Sequence, residues 1–381
     1  MLKRLLNFIS PKSNSNTQGK LRVISRDEHN ISRKNISPAV IKVIKQLADA
    51  GYEAYLVGGG VRDLLLEGKP KDFDVATSAT PEQIRRLFRG ARIIGRRFQI
   101  VHVRMGREVF EVTTFRGASD DNPESKRSQD GMLLRDNVYG TLASDAMRRD
   151  FTVNALYYSP NDFAVYDYTG GMEDLKSRTL RIIGDPVTRY KEDPVRMLRA
   201  LRFAGKLGFA IEPATAQPIR ELGHLLENIS ESRLFEEVLK LFLGGSALAT
   251  FTLLREYGLL AHLFPGTHAA LAEGDELSLR LIEQTMSNTD KRIRADKTVT
   301  PAFLYAALLW PAMLREKARL LQAMPEAAAY VQAAQQAVTW QLQRTSIPKR
   351  FSIPMREIWD LQTRLPQRAG LRAVRLLDHP R

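Results

Sequence analysis

Apolar and polar positions follow two different rhythms along this chain. In SPAVIKVIKQLADA, residues 37–50, apolar side chains recur every three or four positions behind Ser37 and Pro38. That spacing predicts a helix with Ser37 as N-cap and proline in its first turn, stopped by Gly51. YEAYLVGG is a β-rich run entering three consecutive glycines, VRDLLLEG returns to helical spacing, and KDFDVAT predicts a strand. PEQIRRLFRG predicts a helix opened by proline and closed by glycine. RIIGRRFQIVHVRM and EVFEVTTFRG are two β-rich stretches separated by Gly106-Arg107, the spacing of a hairpin. A polar stretch from Gly117 to Gln129 is expected to be a mobile loop interrupting the sheet.

Beyond about residue 185 the rhythm changes. KEDPVRMLRALRFAGKLGF, ESRLFEEVLKLFLGG, LATFTLLREYGLLAHLF and PAFLYAALLWPAMLREKARLLQAM all carry the helical spacing, and strand signals nearly vanish. The expected architecture is an α/β head followed by an all-helical neck and body. The boundaries read as a basic flexible N-terminal segment over 1–36, a catalytic head over 37–175, a helical neck over 176–265 and a helical body over 266–381. No internal repeat of fixed period is visible.

Composition narrows the function. The 381 residues are 44% hydrophobic and 26% charged, which excludes a wholly disordered chain or a low-complexity fibre. No stretch is long and apolar enough for a spanning helix, so no integral membrane span is expected. Cysteine is absent, which removes disulfides, thiolate zinc sites and thiol catalysis, and fits a cytoplasmic location. The net charge of +14 favours a polyanionic partner. Two regions concentrate it. The first 26 residues hold no acid, and Arg85, Arg86, Arg89, Arg92, Arg96, Arg97, Arg104 and Arg107 occur with no acid between Glu82 and Glu108. Eight like charges are costly to bury, so many must face solvent or phosphate. Phe88, Phe98 and His102 are expected in the core.

The sharpest chemistry lies in LVGGGVRDLLLEGKPKDFDVAT, residues 56–77. Residues two apart on a strand project to one face, so Asp72 and Asp74 point together while Phe73 and Val75 face the core. Two adjacent carboxylates repel, and a hard dication neutralises them. Magnesium takes one or two carboxylates and fills its other positions with water and substrate phosphate. The glycines upstream join a strand to a helix, a turn whose backbone N–H groups can approach a phosphate, and Arg62 adds a charge-assisted contact. The plain alternative is a solvated edge beside a tight turn. GxGxxG is absent, and so is the Gly-Lys-Ser/Thr of a P-loop.

GGGVRDLLL followed by KDFDVAT resembles the head motif of the polymerase-β-like nucleotidyltransferases, in the class that contains bacterial poly(A) polymerases and CCA-adding enzymes. RRDFTVNALYY at 148–158, YDYTGGMEDL at 166–175 and EDPVRMLRALRFAGKLGF at 192–209 agree in order. The resemblance covers roughly residues 35–265 and more loosely the helical tail through IPKR. It implies template-independent transfer of a nucleoside monophosphate from an NTP to an RNA 3′ end, with RNA and ATP as partners and DNA as none. It further implies that Asp72 and Asp74 bind two Mg2+ ions, with Mn2+ as a substitute. A third carboxylate is then expected: Asp150 in RRD, with Glu111 in FEVTTFR as its competitor. Gly59, Gly60 and Arg62 are expected at the phosphates. Arg116, Arg148 and Arg149 are expected at the triphosphate, at the ribose or in structural ion pairs.

EDPVR is expected to read the base. Pro194 starts a helix, Asp193 caps it and Arg196 lies one turn on, free to act with it. A carboxylate accepts while a guanidinium donates, which admits the amino-bearing edges of adenine and cytosine and rejects uracil and guanine. The pair therefore does not separate A-only from C-then-A addition. ARIIGRRFQIVHV and GMLLRDNVYGTLASDAMRRDF are similar to the poly(A) polymerase branch, which favours polyadenylation over CCA addition. A catalytically silent RNA-binding scaffold and a small-molecule nucleotidyltransferase are the other readings. The intact Asp72, Asp74, Asp193 and Arg196 oppose the first, and the long basic helical body opposes the second. No His-Asp dipeptide occurs, so the metal-dependent phosphohydrolase domain of some CCA-adding enzymes is not expected. Residues 341–381 carry nine Lys/Arg against three acids and are expected to track RNA. The resembled poly(A) polymerases continue past the position of DHPR through another helix and a basic tail, and RNA affinity and processivity are the properties that tail bears on.

Overall fold

The structure is a computed structural model that describes residues 20–95, 99–117, 126–127, 133–135 and 138–364. The tail before residue 20, Arg96, Arg97, Phe98, most of the polar loop and the segment after Arg364 lie outside the described residues. The chain divides into two compact units: residues 1–126 with 134–175, and residues 127–133 with 176–381.

The first unit is built on one sheet. Its strands in chain order are β1 (Arg22–Ile24), β2 (Ala54–Val57), β3 (Asp74–Thr77), β4 (Arg92–Ile94), β5 (Ile100–Met105) and β6 (Glu108–Thr114). A two-stranded ladder, β7 (Lys126–Arg127) and β8 (Leu133–Arg135), precedes β9 (Leu156–Tyr158) and β10 (Val165–Asp167). The sheet order is β1-β10-β9-β2-β3-β6-β5-β4, with β3 parallel to β6 and the other pairs antiparallel. Five helices belong to this region: α1 (Pro38–Asp49), α2 (Gly59–Leu65), α3 (Pro81–Leu87), α4 (Leu142–Arg148) and α5 (Gly171–Lys176).

Local sequence explains these elements. Ser37 accepts from the Ala39 N–H at 3.2 Å, and Val40, Val43, Ile44 and Leu47 form the buried stripe of α1. Thr80 and Gln83 close a reciprocal capping box on α3, worth about 1 kcal/mol. Val101, Val103, Phe110 and Val112 alternate onto one sheet face and are buried there, where α1 and α3 pack on β5. On the opposite face, Val57, Ala76, Phe115, Leu142, Ala146 and Tyr157 form a second cluster, with α4 contributing the Leu142 and Ala146 side chains.

The structure corrects two expectations. Residues 22–24 are not part of a flexible segment: β1 pairs with β10 across Arg22↔Asp167, Val23↔Tyr166 and Ile24↔Val165, and the Ile24 side chain is buried. The strand in KDFDVAT starts only at Asp74, so Asp72 lies just before it.

In the second unit, α6 (Pro186–Glu192) and α7 (Val195–Leu207) open a succession of helices with one short parallel pair, β11 (Thr179–Leu180) and β12 (Ala210–Ile211). There follow α8 (Pro213–Leu222), α9 (Glu231–Phe242), α10 (Ala247–Glu256), α11 (Leu260–Leu263) and α12 (Pro265–Ala272). The unit ends with α13 (Glu276–Arg294), α14 (Pro301–Leu320), α15 (Glu326–Leu342) and α16 (Lys349–Arg364). Leu304, Tyr305, Leu308, Leu309 and Met313 are buried along α14, and α12, α13, α15 and α16 all pack on it. Trp359 of α16 is buried and donates its indole N–H to the Ala306 carbonyl at 2.9 Å. Residues 176–381 all lie in this second compact unit.

Candidate active site

The glycine turn and the aspartates are neighbours because β2 and β3 are antiparallel, with Val57 in register with Asp74. Gly58 leaves β2 at φ +76° and ψ −140°, a backbone region that side-chain-bearing residues avoid. A side chain at Gly60 would meet the Asp72 carbonyl at 3.1 Å and the Phe73 ring at 3.3 Å, so this glycine lets the helix start lie against the aspartate segment. A side chain at Gly58 would meet an Arg149 guanidinium nitrogen and the Asp74 Oδ2, each at 3.7 Å. Turn, carboxylate and guanidinium therefore converge within a few ångströms.

Asp72 is exposed, whereas Asp74 is half-buried. The Asp74 carboxyl is pushed up to about 6, first by burial and next by the negative charge of Glu111; Arg149 partly offsets this, and Asp72 adds to it. Glu111 is in direct register with Asp74 across the parallel β3–β6 pair. The row continues, because Glu111 pairs with His102 and His102 with Arg92. His102 Nε2 stands 3.7 Å from Glu111 Oε1, and the ring is about one-third exposed (37%). The expectation of a core histidine does not hold: Val101 and Val103 take the buried face, and His102 takes the other. Asp150 accepts at Oδ1 from the Phe151 N–H at 2.8 Å and from the Asn154 amide at 3.4 Å.

The arginines divide by their partners. Arg149 Nε donates to the Tyr157 hydroxyl at 2.8 Å and to Asp145 Oδ2 at 3.2 Å, while its Nη2 reaches the same Asp145 oxygen at 3.1 Å. Tyr157 donates to Asp145 Oδ2 at 2.6 Å, which closes the triangle. Burial opposes the charge on Arg149, but Tyr157 and Asp145 outweigh it and hold the guanidinium pKa above its ordinary value. Asp145 Oδ1 also accepts the Arg116 backbone N–H at 3.0 Å. Burial draws the Arg116 side-chain pKa down, with Asp145 opposing and Arg149 reinforcing that shift. Arg148 donates to the Gly117 carbonyl. Arg62 is 2% exposed and points inward: its Nε and Nη2 bind Asp63 Oδ1 at 2.8 and 2.6 Å, and its Nη1 binds Asn154 Oδ1 at 2.6 Å. Asp145, Tyr157 and Asn154 escaped the sequence reading, although Asn154 and Tyr157 lie inside RRDFTVNALYY.

In the second unit, Asp193 does not cap α7 with its side chain. Pro194 occupies the N-cap position, and Asp193 closes the preceding helix α6 instead. Asp193 Oδ2 accepts from Arg233 at 2.8 Å, while Oδ1 is buried with no hydrogen-bond partner among the described residues. Arg196 is not free: its Nη1 donates to Glu192 Oε2 at 2.9 Å and to the Arg189 carbonyl at 2.7 Å. Arg189 binds the same Glu192 oxygen at 2.8 Å. Glu192 and Arg233 are the partners that spacing alone did not reveal.

The aspartate pair suits a hard dication. Burial first, and then the neighbouring carboxylates, raise the Asp74 pKa against the partial offset of Arg149, and a bound cation would lower it again. Among the described residues no group of three or more His, Asp or Glu side chains forms a protein-only metal cage. Magnesium needs none, since it takes one or two carboxylates together with water and substrate phosphates.

The poly A polymerase head domain model matches residues 54–181, the model for a probable RNA and SrmB-binding site of polymerase A matches 208–271, and the polymerase A arginine-rich C-terminus matches 322–381. Poly(A) polymerase I of Escherichia coli O157:H7 is 52% identical over 366 residues, which covers 94% of this chain and 79% of that one. A CCA-adding enzyme of Lactobacillus helveticus is 41% identical over 209 residues, covering 55% of this chain and 51% of its own. The crystal structure of Bacillus stearothermophilus CCA-adding enzyme in complex with CTP superposes with a TM-score of 0.55 at 29% identity, covering 80% of this chain and 83% of that one. Likeness to the CCA-adding relative stops near half of the chain while likeness to the polyadenylating one runs through nearly all of it, and the chain belongs to the poly(A) polymerase I family of nucleotidyltransferases.

Proposed function

We propose that Asp72, Asp74 and Glu111 form the catalytic carboxylates of this chain, with Asp193 and Arg196 meeting the base of the incoming nucleotide. The reaction follows from family membership: the chain is a polynucleotide adenylyltransferase that transfers AMP from ATP to RNA 3′ ends and releases pyrophosphate. The observation that carries the residue assignment is the direct register of Asp74 with Glu111 beside the glycine turn, and the raised pKa of Asp74, from burial and then Glu111, supports it. Asp72 and Asp74 would hold two Mg2+ ions, with Mn2+ as a substitute, and these supply a lowered pKa for the primer hydroxyl and charge neutralisation for departing pyrophosphate.

Each of the chain's own groups has a separate task. The primer 3′-hydroxyl attacks the α-phosphorus of ATP as the bond from that phosphorus to pyrophosphate breaks, and a carboxylate of the Asp74–Glu111 pair takes up the hydroxyl proton. Arg149, held by Asp145 and Tyr157 beside Gly58, places a fixed positive charge for the triphosphate. Gly59 and Gly60 present backbone to the phosphates without side-chain obstruction. Arg62 supports that turn from inside through Asp63 and Asn154, and Arg116 closes the wall at Asp145. Asp150 fixes the turn that carries Asn154, and so acts on the site through Arg62.

In the second unit the buried Asp193 Oδ1 supports the base-reading role: an exocyclic amino group would complete its hydrogen bonding. Adenine and cytosine both offer that group, so this contact selects an amino-bearing edge rather than ATP alone. The RNA-binding match at 208–271 and the basic C-terminal region support an RNA partner for the helical unit. Among the described residues no helix is long and apolar enough to cross a membrane. ATP and RNA as substrates support the cytoplasm as the working compartment.

Primer extension with magnesium tests the reading. ATP, CTP, UTP and GTP would be offered separately to an oligo(A) primer and to a tRNA lacking its terminal CCA. Adenosine ladders on oligo(A) that vanish in Asp72→Ala and Asp74→Ala are the expected result. Addition confined to the tRNA and ending after CCA would overturn it.

A further inference from the structure

On one half of the head sheet, β4 and β5 carry exposed side chains on the face opposite α1 and α3. On β5, Val101 and Val103 turn toward α1 and α3, so His102 and Arg104 project to the opposite side. Register then assigns their neighbours. Arg92 of β4 pairs with His102, and Arg104 pairs with Val109 of β6. Ile94 and Val109 are apolar yet 38% and 53% exposed on this same face. Arg92 and Arg104 are exposed as well, and neither forms an ion pair among the described residues. The strip is continuous with the catalytic row, because His102 is followed in register by Glu111 and Asp74.

We propose that this open face, made of Arg92, Ile94, His102, Arg104 and Val109, is the track on which the last nucleotides of the RNA primer lie as they approach the carboxylates. The inference rests on the reading that Asp74 and Glu111 meet the primer 3′-hydroxyl. Three facts select single-stranded RNA as the occupant. The strip begins where the 3′-hydroxyl must be. It runs about 14 Å across three inter-strand steps, room for a few nucleotides rather than a whole folded acceptor. Its exposed side chains alternate cations with apolar surface and one imidazole, which suits a backbone of phosphates carrying flat bases. The track also divides the arginine-rich segment in two. Arg85 and Arg86 are exposed on α3, on the helix-covered side, and play no part in it.

That division supplies the test, made on the whole chain. Arg92→Glu/Arg104→Glu and Arg85→Glu/Arg86→Glu change the net charge equally, so a general electrostatic effect moves both alike. Binding of a short fluorescent oligo(A) is followed by anisotropy across a salt series. The face pair is expected to weaken binding about tenfold or more and to lower the salt slope by about 1.4, the value for two lost single-strand phosphate contacts. The α3 pair should stay within about threefold of the parent with an unchanged slope. Equal losses in the two pairs, or parental affinity in the face pair, overturn the proposal. Arg92→Gln/Arg104→Gln repeats the measurement with a milder change, and thermal melting confirms that each protein is folded. Asp74→Ala separates the two readings: it should lose primer extension while keeping oligo(A) affinity. Extension that survives Asp74→Ala would defeat the carboxylate assignment even where the face pair loses its RNA.

Discussion

Asp74 and Glu111 stand side by side across the parallel β3–β6 pair, and burial together with the charge of Glu111 disfavours ionisation of Asp74. Without a cation, Asp74 holds its proton more tightly in the folded than in the unfolded chain. The sign follows: this group adds no penalty below its ordinary pKa near 4, and the penalty grows as pH rises through about 6. Asp74→Asn should therefore stabilise the metal-free protein by on the order of 1–2 kcal/mol at pH 7.5 and by little at pH 4. Thermal melts of both proteins in chelator across that range would measure it. A difference that is flat with pH would show that Asp74 titrates normally. Magnesium should raise the parental melting temperature at pH 7.5 and progressively less below about pH 6, as protons compete for the carboxylate.

The third carboxylate can be separated from its competitor. Glu111 acts on Asp74 directly, whereas Asp150 is engaged with Phe151 and Asn154, which in turn holds Arg62. Glu111→Gln keeps the size and removes the charge, and should cut kcat about 100-fold with little change in melting temperature. Asp150→Asn should lower activity and melting temperature together, since it loosens the turn behind the glycines. The opposite pattern, an inactive but fully stable Asp150→Asn beside an active Glu111→Gln, would assign the catalytic role to Asp150.

Arg149 depends on Tyr157 for its place. The phenol stays neutral because burial, above all, keeps its pKa well above the ordinary value, and it can accept from Arg149 while donating to Asp145. Tyr157→Phe removes one oxygen and leaves Asp145 and Arg149 each short of a bond, a loss of about 1.5–3 kcal/mol. The kinetic signature should be a KM for ATP raised about tenfold with the KM for RNA unchanged. Equal changes in both constants would mean that the whole head has shifted, not the guanidinium alone.

How much of this was legible beforehand differs from residue to residue. The glycine turn and Asp72/Asp74 lie within one short segment, so local spacing was enough to bring them together. Asp150 stood ahead of Glu111 in the sequence, because the register that sets Glu111 beside Asp74 is a long-range property that local spacing does not carry. His102 was misplaced for a different reason. Its valine neighbours suggested a core strand, yet strict alternation already puts it on the face opposite them. Arg196 looked free because its partner, Glu192, is also one turn away on the same chain segment, and spacing does not say which neighbour a guanidinium chooses. The three-residue β1 is too short and too exposed for any periodic signal, and only its partner β10 defines it.

Asp193 and Arg233 provide the last prediction. Arg233 pairs with one oxygen of Asp193, and the other is buried without a hydrogen-bond partner among the described residues, so removing Arg233 and removing Asp193 should have different consequences. Asp193→Asn trades an acceptor for a donor on half of the side chain, and should relax base choice by letting UTP or GTP compete with ATP. Arg233→Ala leaves the carboxylate intact but unneutralised and no longer held in one orientation. Its expected result is a loss of about tenfold in kcat/KM for ATP, with the preference for ATP over UTP retained. Arg233→Lys, which restores the charge without the fork, should recover part of that loss. Competition assays with labelled ATP against each unlabelled nucleotide would read both effects. Unchanged base preference in Asp193→Asn would remove Asp193 from the reading of the base, and leave its buried oxygen to a structural role.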